Sequence, residues 1–99
     1  MSENMSDNIT RWHVFFDGRV QGVGFRFTAQ IYATELGLVG WVRNMSDGRV
    51  EMEVQGPVSK LRTLLIKLKS NPPIHITDYD IREFPPKEGE RKFSVLSSF

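Results

Sequence analysis

The residues best placed to do chemistry lie in Gly18-Arg19-Val20-Gln21-Gly22-Val23-Gly24-Phe25-Arg26, where three glycines and two arginines share nine positions ahead of a helical pattern. Glycine gives up side-chain burial and raises the entropy cost of ordering, so a cluster of it implies a backbone that must come close to something. N–H groups turned into such a loop, with a helix N-terminus just behind, favour an anion and above all a phosphate. Arg26, the only charged residue between 20 and 34, falls at the loop-to-helix junction. A guanidinium there can hold a phosphoryl group with two parallel N–H bonds. The plain alternative is a tight turn beside a solvated arginine.

The loop matches neither common nucleotide motif. Phe25-Arg26-Phe27 follows the glycines where a Walker loop needs Lys-Ser/Thr, and Phe27 stands where a dinucleotide fingerprint needs its third glycine. A second polar candidate is Asn44, at the end of a strand pattern and before a turn. Asparagine at that position commonly serves turn chemistry. Its carboxamide also donates and accepts, so it suits a water or a substrate oxygen.

Other side chains offer less. His13 and His75 fall on different strands without ligand-spaced partners, which speaks against a metal site. Glu51 and Glu53 share one strand face and read as its solvated side, as do Asp78 and Asp80. No serine or histidine has the setting of a nucleophilic triad. The aromatics Phe15, Phe16, Phe25, Phe27, Tyr32 and Trp41 read as core and rim, and no stretch fits an RNA-binding aromatic signature.

The elements that must position these residues follow from periodicity. Trp12, Val14 and Phe16 alternate with His13, Phe15 and Asp17, predicting a strand over 11–18. Phe25, Ala29, Tyr32 and Leu36 recur at helical spacing and Gly37 closes the pattern, predicting a helix over 26–36. Strands follow over 39–44 and 49–55, joined by a Met45–Gly48 turn. Gly56-Pro57 opens a helix carrying Leu61, Leu64, Leu65 and Leu68 on one face, and SNPP (70–73) ends it. HITDYDIREF (75–84) is a strand whose imperfect alternation predicts a bulge. A loop and a short closing strand over 92–96 complete the chain. The order β-α-β-β-α-β plus an edge strand is the ferredoxin-like split βαβ of the α+β class: an antiparallel sheet with two helices on one face. That fold hosts enzymes, anion-binding or regulatory modules and RNA- or protein-binding domains alike.

Composition limits these choices. At 99 residues, 39% hydrophobic and 25% charged, the chain fits one domain over 11–99 behind a polar tail of residues 1–10 expected to be disordered. A net charge of +1 advertises neither nucleic acid nor anionic lipid, and no apolar run reaches a membrane span. With no cysteine, disulfides and thiolate catalysis are excluded. No basic or apolar leader is legible, so the expected location is the cytoplasm. A monomer is the default for so small a chain, and neither nucleic-acid nor membrane partners are expected.

Gly18-Arg19-Val20-Gln21-Gly22-Val23-Gly24-Phe25-Arg26 resembles the first signature of the acylphosphatase family, G-x-V-Q-G-V-x-[FY]-R. Gly40-Trp41-Val42-Arg43-Asn44 with Gly48, Val50 and Gly56 resembles the second, G-[FYW]-V-x-N-x3-G-x-V-x5-G. The resemblance runs from about residue 11 to the end, with the PPKEGER loop outside both motifs. It implies a ferredoxin-like hydrolase that cleaves acyl phosphates, small molecules, to carboxylate and inorganic phosphate without a cofactor. It further implies that Arg26 binds the phosphoryl group and Asn44 orients the attacking water. The backbone N–H groups of Gln21, Gly22, Val23, Gly24, Phe25 and Arg26 would form the phosphate cradle.

Overall fold

A computed structural model describes residues 8–97. Its elements are β1 (Ile9–Arg19), α1 (Phe25–Glu35), β2 (Val39–Asn44), β3 (Val50–Pro57), α2 (Val58–Lys69), β4 (His75–Phe84) and β5 (Phe93–Val95). β1 begins two residues ahead of the sequence expectation, because Ile9 and Thr10 pair with Pro57 and Gly56 of β3. Asn8, also in the expected tail, accepts through its backbone carbonyl from Val58 N at 3.2 Å, and residues 1–7 lie outside the described residues.

The strand order is β4-β1-β3-β2-β5, and the first four strands run antiparallel in the split βαβ order. The expectation of a wholly antiparallel sheet is corrected at the edge, where β5 lies parallel to β2. The reason is topological. β4 finishes at the end of the sheet where β1 starts, Arg11 opposite Phe84. The chain then crosses to the other edge at that same end, so β5 must run in the direction of β1 and β2.

The bulge is where the alternation of 75–84 falters. Asp17 pairs with Asp78 but Gly18 with Ile76, leaving Thr77 as the extra residue on β4. Gly18 has φ 124°, and a Cβ there would run into the His75 carbonyl oxygen and come within 2.7 Å of the Thr77 nitrogen. Only glycine fits, and the bulge ends β1 just ahead of the glycine loop.

Both helices cover one face of the sheet. Phe25, Ala29 and Ala33 of α1 and Leu61, Leu64 and Leu68 of α2 meet Val14, Phe16, Val42, Val50, Met52 and Val54 in one buried cluster. α1 stops as Gly37 turns to φ 74° and the N–H groups of Gly37 and Leu38 bond back to Thr34 (3.1 Å) and Ala33 (2.8 Å). This satisfies two of the last carbonyls of the helix. α2 starts one residue later than the sequence implied: Pro57 closes β3 and precedes the first helical residue, Val58.

The other face contradicts the reading of Glu51 and Glu53 as solvated. Both are buried. Glu51 accepts from His13 Nε2 and from Arg43 Nε, each at 2.7 Å. Glu53 accepts from Arg11 Nε at 2.7 Å, and Arg11 is itself fully buried. The loop after β4 lies over this end of the face: Glu90 accepts from Arg11 Nη1 at 2.8 Å, and Gln55 exchanges hydrogen bonds with the Lys87 backbone at 2.8 and 2.9 Å. Alternation identified a polar face but not its cover of paired charges and backbone. Asp78 and Asp80 are exposed, as expected.

Candidate active site

The glycine loop links the end of β1 to α1, and Gly24 is the residue that precedes the helix. It has φ 79° and ψ 17°, and Gly22 has φ 73°, both left-handed conformations that L side chains rarely adopt. A Cβ at either position would meet nothing within 4 Å. The requirement for glycine here is therefore backbone conformation rather than crowding within the chain. The first helical bond runs from Thr28 N to Gly24 O at 3.0 Å. The N–H groups of Phe25, Arg26 and Phe27, ahead of it, have no carbonyl within the helix to serve. No side chain caps them.

Beside this helix start lies a cavity of about 150 Å³, lined by Val20, Gly22, Gly24, Phe25, Arg26, Phe27 and Asn44. It brings together the two polar side chains the sequence singled out. Four of the six expected cradle residues line it: Gly22, Gly24, Phe25 and Arg26. Gln21 and Val23 do not; Val23 packs against the core instead. Val20 and Phe27, which the sequence reading did not assign to the site, complete the lining. Phe25 has its ring in the core at 5.0 Å from that of Phe16, which anchors the first turn of α1.

Arg26 is half-buried, and its Nη1 donates to the Leu96 carbonyl at 3.1 Å. One α1 turn on, Gln30 Nε2 donates to the Phe93 carbonyl at 3.1 Å. Leu96, the residue just after the edge strand β5, thus anchors the guanidinium, while Phe93 of β5 itself holds Gln30. Periodicity gave no signal for this, since the acceptors are backbone carbonyls.

Asn44, the last residue of β2, pairs with Val50 across the hairpin and is half-buried. Among the described residues its carboxamide makes no hydrogen bond. The turn is secured by others: Asp47 Oδ1 accepts from Arg49 N at 3.0 Å, and Met45 N bonds to Arg49 O at 2.8 Å. A carboxamide that takes no part in its own turn, at the wall of a cavity, is available to a ligand. Among the described residues, the lining also carries no carboxylate to oppose an anion. Among the described residues, no group of three His, Asp or Glu side chains is arranged to hold a metal ion.

Similarity to known proteins identifies the family. The acylphosphatase family model matches residues 12–95. The acylphosphatase of Methylococcus capsulatus is 44% identical over 87 residues, covering 87% of this chain and 95% of that one. A crystal structure of the acylphosphatase from Bacillus subtilis superposes with a TM-score of 0.82 at 39% identity, over 88% of this chain and 98% of that one. An acylphosphatase structure from Coxiella burnetii gives 0.82 at 31% identity, over 97% and 100%. The chain belongs to the acylphosphatase family. No helix among the described residues is long and apolar enough to cross a membrane.

Proposed function

We propose that the cavity between the start of α1 and the end of β2 is where this chain hydrolyses the carboxyl–phosphate bond of acyl phosphates. The observation that carries this is the shared cavity of Arg26 and Asn44, with the Asn44 carboxamide unengaged among the described residues and the helix N-terminus alongside.

An acyl phosphate is a reactive mixed anhydride with a stable carboxylate leaving group, so the reaction needs no strong general acid. Water attacks phosphorus, the bond from phosphorus to the carboxyl oxygen breaks, and carboxylate and inorganic phosphate leave. Catalysis rests on positioning and on stabilising charge at the equatorial oxygens. In this reading Arg26 and the backbone N–H groups of residues 21–26 hold the phosphoryl group. Asn44 orients the water, and a phosphate oxygen of the substrate takes its proton. The guanidinium and the positive end of α1 supply the charge that a metal would otherwise supply. The reading includes no metal or cofactor, and a monomer acting in the cytoplasm on a small diffusible substrate.

Release of phosphate from benzoyl phosphate, measured with and without chelator, tests the proposal. Turnover that persists in EDTA and is competitively inhibited by inorganic phosphate supports it. Phosphate binding without turnover would instead make the cavity a non-catalytic anion site.

A further inference from the structure

Gln21 belongs to the glycine loop, yet its side chain turns away from the cavity that the loop builds. Nε2 donates to the Met45 carbonyl at 2.8 Å and to the Arg49 carbonyl at 2.9 Å. Both acceptors are backbone oxygens, so both donors of one NH₂ group are used and the orientation of the amide is fixed. These carbonyls stand at the mouth of the β2–β3 turn. The Arg49 carbonyl also accepts from Met45 N at 2.8 Å, and the Met45 carbonyl from Gly48 N at 3.2 Å. Met45 directly follows Asn44.

This is a clasp between two parts of the site that are otherwise far apart in sequence. On one side is the backbone of the phosphate loop, whose glycines hold left-handed conformations. On the other is the peptide that carries Asn44. We propose that Gln21 is a positioning residue, which fixes the Asn44 carboxamide relative to the cradle and hence the line of attack of water on phosphorus. It rests on the reading of the site given above, and it adds that the alignment of Asn44 depends on a side chain that does not line the cavity. Misplacement of a reacting group by a fraction of an ångström to an ångström costs up to about 10²-fold in rate. Two donors to two backbone carbonyls are suited to preventing it.

The test uses the full chain with benzoyl phosphate, in wild type, Gln21→Met and Gln21→Glu. Wild-type turnover with competitive inhibition by phosphate secures the underlying reading by itself, so that the variants address only the clasp. Gln21→Met keeps length and removes both donors. It is expected to lower kcat about 10-fold or more while the inhibition constant for phosphate stays within about twofold, because Arg26 and the loop amides are untouched. Gln21→Glu aims a carboxylate at two carbonyl oxygens, which favours its protonated form. Once protonated it regains one donor. Its kcat relative to wild type at the same pH is therefore expected to rise as pH falls from about 8 to about 5. A merely structural glutamine would not produce that profile. The proposal is overturned if folded Gln21→Met turns over like wild type, if its loss appears equally in phosphate binding, or if the Gln21→Glu ratio is flat with pH. It is also overturned if both variants fail to fold where the wild type is native, since Gln21 would then be a determinant of the fold.

Discussion

Arg26 and Asn44, eighteen positions apart in the sequence, line one cavity of about 150 Å³ from two different elements, the first turn of α1 and the last residue of β2. Neither element supplies a second ionised group to the lining. The chemistry of the site is therefore one cation, one neutral amide and backbone N–H groups, which suits a substrate that brings its own charge and its own leaving group.

Arg26 should not be replaceable by another cation. Lysine keeps the charge but loses the planar fork that binds phosphate oxygens in pairs and also reaches the Leu96 carbonyl. Arg26→Lys is expected to lower kcat/KM by about 10²-fold, and Arg26→Ala to weaken inhibition by phosphate as well. Steady-state kinetics with benzoyl phosphate checks both. Near-wild-type kinetics in either folded variant would make Arg26 an ordinary surface residue.

Gly24 carries a conformational requirement that can be separated from steric crowding. A Cβ there has open space, but φ 79° costs an alanine about 1–2 kcal/mol. Gly24→Ala should lower stability by about that amount in denaturant titration and weaken phosphate binding, because relief of the strain reorients the amides ahead of α1. Unchanged stability and phosphate inhibition would refute the requirement.

Glu51 sets an acid limit on stability. Burial pushes its carboxyl up, but hydrogen bonds from His13 and Arg43 outweigh that and hold it below the ordinary glutamate value. A carboxyl depressed in the folded state contributes stability that is fully present above the unfolded value, about 4.3, and is lost as pH falls through the folded one. Glu51→Gln should lower stability at neutral pH by about 2 kcal/mol and narrow the gap between neutral and acid conditions. Thermal melts from about pH 7 to about pH 3 read this directly. Parallel wild-type and variant curves would contradict it.

How far the sequence carried depends on the kind of signal. Spacing was enough for the helices, because Leu61, Leu64 and Leu68 recur at the helical period and are the residues that α2 buries. For Arg26 and Asn44, side-chain type at an element boundary was enough to single them out, and the fold brings both to one cavity. Spacing failed for Glu51 and Glu53, because a polar face covered by paired charges alternates just as a wet one does. Nor could it show the Gln21 clasp or the hold of Leu96 on Arg26. Those bonds end on backbone carbonyls, which every residue possesses, and only the fold decides which of them meet a donor.

The most direct test of the central claim is the kcat of Asn44→Ala with benzoyl phosphate, measured together with the inhibition constant for phosphate. If Asn44 orients the attacking water, kcat should fall on the order of 10²-fold, about 3 kcal/mol, while phosphate affinity is nearly unchanged. Asn44→Asp keeps the shape but loses the donors and sets a negative charge beside the substrate. It should turn over no faster than the alanine variant and bind phosphate less well. A folded Asn44→Ala protein with wild-type kcat would contradict the account and leave Asn44 as a turn residue.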